Sequence, residues 1–538
     1  MPAIPSFLAA TASHQGARPA LSMDDRVLTY GELDASANRV ANLLIRHGVR
    51  IGDRVAIWLP KSLEAIISIW GVLKTGAAFV PVDPGAPASR LATIARDCEV
   101  RALVTALERA GDLQDAFSTI APMRAVLYAG DGARPASAAP WSSQTWNEVE
   151  AESAEPPPVH VDDTALALVQ YTSGSAGTPK GVMISHRALA GQADWTVASF
   201  GLSSEDRIAG YTPLSSAMST FEIFAGVRAG ATVYPVAPQI APFPAAVAKS
   251  WSDQRITAIF VVPSVLQMLL SRGNLGALDF SKLRIVGMGG EHLPVQRLGE
   301  VMRLLPRVRF VIAYGRTETK LRALHEVKFP PEEIDTRIIG KTAAGNGLLV
   351  LGEDEKPVAD GAIGELWVTG PCLMLGYYGL PEMTAQVMRT VRLGPGESVL
   401  ACRTGDLVRR HADGTLELVG RADDQIKVRG YRVETAEIET ALCRHPAVQA
   451  AVAIAVPDPE IGNRLKAVVV LKDGSDAGEQ TLRIHCAAEL APYMVPESIE
   501  FRASLPLMSN GKIDRRSLRE SAARSAPRAD TGNGGRRR

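Results

Sequence analysis

Apolar residues occur along the first half of this chain in short bursts, and their spacing alternates between two periods. Val40, Leu43, Leu44 and Ile45 recur at helical spacing within 36–47, while the run from Asp53 to Leu59 has the length and continuity of a buried strand. Leu63 to Lys74 then reads as a helix and Ala77 to Val82 as another strand. The pattern resumes with a strand over Ala165-Leu-Ala-Leu-Val169, a helix over Ser185 to Asp194, and strands over Ile256 to Val262, Leu283 to Gly287 and Val308 to Ile312. Alternating elements of this kind predict a layered α/β domain. Each of the last three strands ends near a Gly-rich or polar segment, where open α/β sheets place their ligands.

The texture changes twice. Residues 129–160 are rich in Gly, Ala, Ser and Pro and predict an exposed connection within the first domain. From Leu348 to Val419 short apolar runs alternate with Gly, Asp and Pro turns, with one helix over Pro381 to Met388, so 348–419 predicts a β-rich subdomain. Beyond Gly420, helices over Thr435 to Cys443 and Leu482 to Leu490 flank strands over Val448 to Val456 and Leu465 to Leu471. The expected organisation is an N-terminal core over 1–420, a small mobile α+β domain over 421–520, and a disordered tail over 521–538 rich in Ala, Gly and Arg.

Composition narrows the function classes. At 538 residues the chain exceeds what one hydrophobic core supports. The 58 basic residues balance 58 acidic ones, which argues against a nucleic-acid or anionic-membrane partner. Five scattered cysteines show no CxxC pair, so neither a disulfide framework nor a zinc site is expected. With no leader-like start at Met1 and no apolar run of bilayer length, the reading is a cytoplasmic protein.

The segment 171–181, Tyr-Thr-Ser-Gly-Ser-Ala-Gly-Thr-Pro-Lys-Gly, supplies what a polyphosphate needs. Gly174 and Gly177 let backbone N–H groups turn toward an anion, Thr172, Ser173, Ser175 and Thr178 add hydroxyl donors, and Lys180 adds charge. A Gly/Ser surface turn is the plainer alternative, and Pro179 before the lysine excludes a Walker A loop.

Seven further segments join this loop, in order: Leu28-Thr-Tyr-Gly-Glu-Leu33, Leu73 to Asp83, Tyr314-Gly-Arg-Thr-Glu318, Gly364-Glu-Leu366, Arg403-Thr-Gly-Asp-Leu407, Gly420 to Gly430, and Asn510-Gly-Lys-Ile-Asp-Arg515. Together they resemble the adenylate-forming enzymes, most closely the adenylation domains of nonribosomal peptide synthetases. The resemblance implies a carboxylic acid activated by ATP as an acyl-adenylate, with pyrophosphate released, and then passed to a thiol. It also implies site residues. Glu318 would ligate Mg²⁺ beside Thr317, and Lys512 would bridge the substrate carboxylate and the α-phosphate as charge builds. Asp406 would accept the ribose hydroxyls, with Arg421 nearby. Tyr314 would stack on adenine, framed by Gly289, Gly290, Ala313 and Gly315. Asp423 is the implied hinge, and Gly430 lies on the face expected to line the thiol channel.

Three positions depart from the family pattern. Ala176 stands where relatives commonly have Thr and Ile312 where they have Asn, each loss costing on the order of 1 kcal/mol of hydrogen bonding. Ala217 stands where amino-acid-activating domains place the Asp that pairs with the substrate ammonium, so a standard α-amino acid is not expected. Met218, Phe221, Ala313, Leu321 and Arg322 complete the implied acid pocket. Arg322 would pair with a polar or anionic group on the acid, or else face solvent or Glu326 one helical turn on. The expected protein is therefore a free-standing acid–thiol ligase using ATP and Mg²⁺ and loading the phosphopantetheine thiol of a carrier protein in trans. An acyl- or aryl-CoA ligase is the runner-up. A luciferase-like oxidoreductase and a catalytically silent nucleotide-binding homologue are the alternatives of other classes.

Overall fold

In the computed structural model the described residues are 1–538 other than 118–122, 131, 134–140, 175–178, 292–293, 330–336, 343–346, 395, 423–424, 459–461, 507–512 and 526–538, and the side chains of 114–115, 322, 516 and 523–525 are also outside the description. Lys512, Asp423, Ser175, Ala176, Gly177 and Thr178 therefore lie outside the described residues, as does the side chain of Arg322.

Two large sheets build the N-terminal part. One has eight strands among the described residues and centres on the parallel strands Arg54–Trp58, Ala78–Pro81 and Val100–Ala106. The other has fourteen; its parallel portion runs through Thr232–Pro235, Arg207–Gly210, Ala258–Val261, Ile285–Gly289 and Arg309–Arg316. That sheet then turns antiparallel through Lys320–Val327 and Ile338–Thr342 and continues into Leu416–Arg421, Glu397–Arg410 and Ile363–Thr369. The β-rich segment read from the sequence is thus hydrogen-bonded into the main sheet, with Ile338 opposite Glu417.

Helices sit where the apolar periodicity placed them, and local caps fix their starts. Thr29 forms a capping box with Glu32, so the first long helix begins at Tyr30 rather than Ser36. Ser62 caps Leu63–Lys74, a helix buried at almost every position because it lies between layers. Aromatic rings fill that interior: Trp70 meets Phe224 at 5.4 Å, and Phe200, Phe221 and Phe260 pack edge-on or tilted at 4.8–5.8 Å.

Three expectations need correction. Within 129–160 lie a strand, Ser142–Thr145, and a short helix, Trp146–Glu150; the strand is polar and adds to the edge of the eight-stranded sheet, so no apolar alternation announces it. Residues 521–525, expected in a disordered tail, belong to the helix Arg515–Ser525, which buries Leu518 and Ala522 against Val452, Ile454 and Val468; 526–538 lie outside the described residues. Lys180 opens a strand, Lys180–Ser185, antiparallel to Leu166–Thr172, before the helix His186–Phe200 that Ser185 caps.

The smaller C-terminal unit comprises the hairpin Ile426–Val428/Tyr431–Val433, a three-stranded sheet of Val448–Asp458, Gly462–Leu471 and Ser498–Phe501, and the helices Thr435–Cys443, Glu479–Ala487 and Arg515–Ser525. It docks directly on the large unit. Arg90 pairs with Glu437 at 2.7 Å with both side chains buried, and Ser89 donates to the Ala488 carbonyl at 2.9 Å.

In the interior, Lys61 and Glu222 form a buried ion pair; Lys61 also donates to the Gly210 carbonyl at 3.0 Å, and Glu222 accepts the Thr212 N–H at 2.7 Å. Removing one partner leaves a buried charge unanswered. Glu222→Ala should therefore lose about 3–5 kcal/mol of stability, measured by urea unfolding, while the double substitution Lys61→Met/Glu222→Leu should recover most of it.

Candidate active site

The carboxyl ends of the parallel strands and the end of the strand Leu166–Thr172 open onto one cavity, which residues of the C-terminal hairpin also line. The sequence-predicted residues Thr172, Ala217, Met218, Gly289, Gly290, Ala313, Gly315, Thr317, Leu321, Asp406, Arg421 and Gly430 all line it. Residues from more than two hundred positions apart are thereby brought within one small volume.

A neighbouring cavity carries Gly290, Ile312, Ala313, Tyr314, Gly315, Asp406 and Arg421, together with Lys427 and Asn463 of the smaller unit. A side chain at Gly289 would meet the Ala313 carbonyl at 2.8 Å, and Gly290 turns with φ +90°, so two glycines let a flat group approach the strand ends. Tyr314 donates its hydroxyl to Asp406 at 2.5 Å, and Arg421 holds the other carboxylate oxygen. Arg316 stands 3.6 Å from Asp406. A carboxylate fixed on both oxygens by donors that also line the cavity is oriented in advance of any ligand.

Glu318 is 3% exposed, yet its carboxylate faces three cations. Arg432 donates to Oε1 at 2.5 Å, Tyr377 donates to the same oxygen at 2.9 Å, and Arg316 stands 3.7 Å from Oε2. Burial would push this carboxyl up, but Arg432, Arg316 and Lys180 overcome it and hold it well below the ordinary glutamate value. Oε2 accepts no hydrogen bond among the described residues, so one lone-pair face of a charged, buried oxygen is left for a hard cation. Lys180 lies 4.7 Å from the centre of the Tyr377 ring, and burial with the nearby Arg432 pulls its ammonium down to about 8.

The start of the glycine loop is engaged. Ser173 donates to the Arg432 carbonyl at 2.8 Å and accepts the Glu434 N–H at 2.9 Å. Thr172 is the contrast, with a buried hydroxyl that has no hydrogen-bond partner among the described residues. Such an orphan on a cavity wall fits an anionic ligand group.

The acid side of the cavity is walled by Ala217, Met218, Ala313 and Leu321 as expected, and also by Gln170, Gln192, Ser215, Ser216 and Phe260. Phe221 is not on this wall. Its ring turns inward from the turn Phe221–Ala225 to pack on Phe200 and Phe260, and Phe260 presents the aromatic surface instead. Arg322 lies on the strand Lys320–Val327, so Glu326 is not a helical turn away, and Glu326 pairs with Arg309 at 2.6 Å. Gly430 has φ +82°, and a side chain there would strike Val262 at 2.5 Å. It also lines a further cavity with Thr212, Ser216, Val262 and Tyr431 that adjoins the acid side.

Several wall residues were not singled out from the sequence: Gln170, Gln192, Arg316, Lys320, Lys427, Tyr431, Arg432 and Tyr493. Lys427 and Arg316 lie inside motifs already quoted, which is the signal that could have found them. Burial pulls the Lys427 ammonium down to about 8, with Asp406 opposing. Gln170 and Gln192 are polar residues inside buried elements and carried no motif.

Comparison with known proteins gives the family. Residues 8–378 match the family described as AMP-binding enzyme, and residues 437–512 match the AMP-binding enzyme C-terminal domain. The chain is 36% identical over 520 residues to an L-proline–[L-prolyl-carrier protein] ligase of Streptomyces coelicolor, covering 94% of each. It is 34% identical over 504 residues to the dimodular nonribosomal peptide synthase of Bacillus subtilis, covering 93% of this chain and 20% of that protein. Among solved structures it resembles the amide bond synthetase McbA of Marinactinospora thermotolerans, with a TM-score of 0.82 at 26% identity, covering 96% of this chain and 99% of that one.

Because the Lys180 ammonium is held near 8, it is charged below that pH and neutral above it. Affinity of the ligand-free protein for ATP or pyrophosphate should therefore fall by up to about tenfold between about pH 7 and about pH 9.5. Titration calorimetry at several pH values checks this, and Lys180→Met should flatten the profile at the weak-binding level.

Proposed function

The chain belongs to the AMP-binding enzyme family, and from that premise we propose that it is an ATP-dependent acid–thiol ligase that forms an acyl-adenylate and transfers the acyl group to a carrier-protein phosphopantetheine thiol. The observation that carries this reading is the shared cavity. Asp406, Arg421, Gly289, Gly290 and Ala313 line it together with the acid-side residues Ala217, Met218 and Leu321, and Gly430 is common to it and to an adjoining cavity.

In the first half-reaction the acid carboxylate attacks the α-phosphorus, an acyl–phosphate bond forms, and the bond to pyrophosphate breaks with its electron pair going to the departing oxygen. Asp406, fixed by Tyr314 and Arg421, would hold the ribose, and Thr172 and Lys180 would hold the polyphosphate. The free face of Glu318 Oε2 fits Mg²⁺, which when bound neutralises charge on the leaving group. Lys512, outside the described residues, is the proposed cation at the reacting carboxylate. In the second half-reaction a thiol reaches the acyl carbon past Gly430, the carbon–oxygen bond to AMP breaks, and AMP takes the electron pair while the thiol proton passes to solvent.

The relatives named as carrier-protein ligases support a carrier thiol as acceptor. The acid is proposed to lack a free α-ammonium. Asp406 is the one carboxylate among the described wall residues, it belongs to the nucleotide end, and Ala217 offers nothing to pair with a buried cation. L-Proline, named for two relatives, is the contrasting substrate.

Acid-dependent ATP–pyrophosphate exchange across aryl, hydroxy, short fatty, β-amino and α-amino acids, L-proline included, tests this reading. Exchange is expected with an acid that lacks an α-amine; strong exchange confined to L-proline or another α-amino acid would contradict the reading of Ala217. Lys512→Ala should lower exchange by at least about a hundredfold while ATP still binds, and undiminished exchange would contradict the role given to that lysine.

A further inference from the structure

Two buried glutamines grip the turn that carries Ala217, and both line the acid side of the cavity. Gln170 lies on the strand Leu166–Thr172 and Gln192 on the helix His186–Phe200, and they are 2% and 3% exposed. The side-chain nitrogen of Gln170 donates to the Ser215 carbonyl. Thr220 donates its hydroxyl to the Ala217 carbonyl at 2.7 Å and stands 3.3 Å from the amide oxygen of Gln192.

Each of these groups has bonding capacity left over. With its nitrogen held by Ser215, Gln170 offers Oε1 as an acceptor, and that oxygen takes no hydrogen bond among the described residues. Thr220 has one proton and places it on Ala217 at the shorter distance, so Gln192 is incompletely paired there, and it makes no other side-chain hydrogen bond among the described residues. The Ser215 hydroxyl is buried without a hydrogen-bond partner among the described residues. Unpaired polar groups gathered on one cavity wall fit a polar group on the ligand. Gln170 Oε1 accepts only, so it repels a group that has no proton to give, whereas Ser215 and Gln192 can donate. A hydroxyl satisfies both, giving its proton to Gln170 and accepting from Ser215 or Gln192. Met218, Phe260 and Leu321 give the carbon skeleton an apolar seat on the same wall.

We propose that Gln170, Gln192 and Ser215 select the acid by one hydroxyl group, so that the substrate class is a hydroxy-substituted carboxylic acid. The proposal deepens the ligase reading above and rests on it.

The test is ATP–pyrophosphate exchange with Mg²⁺ and the full chain, on matched acids that differ by that hydroxyl. The hydroxybenzoates are set against benzoate, lactate against propionate and β-hydroxybutyrate against butyrate, with succinate and phthalate as probes bearing a second carboxylate. The kcat/KM for a hydroxy acid should exceed that for its partner lacking the hydroxyl by about a hundredfold. That ratio should fall by about tenfold in Ser215→Ala, Gln170→Leu and Gln192→Leu, chiefly through KM, with each variant checked for an unchanged thermal midpoint. A merely structural role would lower both members of a pair together, and an unchanged ratio overturns the inference. Ser215→Ala keeps the carbonyl that holds Gln170, so it decides the matter if the glutamine variants fail to fold. Exchange in the wild type that is equal or greater with acids lacking a hydroxyl, the diacids and α-amino acids included, overturns the inference and leaves acid activation standing. Absence of exchange with every acid overturns the ligase reading, and the inference with it.

Discussion

A carboxylate cut off from water has to be answered by positive charge, and around Glu318 that requirement draws three distant parts of the chain together. Arg316 comes from the same strand end, Lys180 from the strand after the glycine loop, and Arg432 from the C-terminal hairpin. Without those cations burial would leave the carboxyl protonated and the position useless as a charged ligand. The site is in this sense an electrostatic junction, and the two structural units share it.

That junction depends on backbone geometry laid down elsewhere. Gly289 and Gly290 leave room above the strand ends, and the register that sets Gly289 beside Ala313 brings the Ala313 carbonyl close enough to exclude any side chain at Gly289. The continuation of the same sheet into Glu397–Arg410 sets Asp406 opposite Arg421 and within reach of Tyr314. The β-rich segment is therefore what delivers the carboxylate to the cavity, and Glu222 of the buried Lys61 pair holds the Thr212 N–H beside the adjoining cavity.

Much of this was legible in the sequence where local rules dominate. Apolar spacing located the helix Leu63–Lys74 and the helix Thr435–Cys443 at their ends, because burial of one face or of the whole helix writes a period into the chain. Among the described motif residues, Thr172, Gly289, Gly290, Gly315, Asp406, Arg421 and Gly430 meet at one cavity, glycine, hydroxyl and charged positions that local packing does not explain. What stayed hidden depends on tertiary choices. Ser142–Thr145 is a polar edge strand, Phe221 and Phe260 differ only in which way each ring faces, and Arg322 reads as helical until the strand Lys320–Val327 is seen. The hold of Arg432 on Glu318 spans more than a hundred residues and leaves no local trace.

The claim on which the account turns is that the cavity closed by the C-terminal hairpin takes ATP, with Asp406 as acceptor for the ribose. Titration calorimetry with ATP and Mg²⁺ on wild type and Asp406→Asn tests it most directly, since Asp406 lines the cavity and is oriented on both oxygens by Tyr314 and Arg421. The account predicts binding to the wild type and affinity weaker by about tenfold in the folded Asp406→Asn variant. Equal affinity of the two proteins would contradict it.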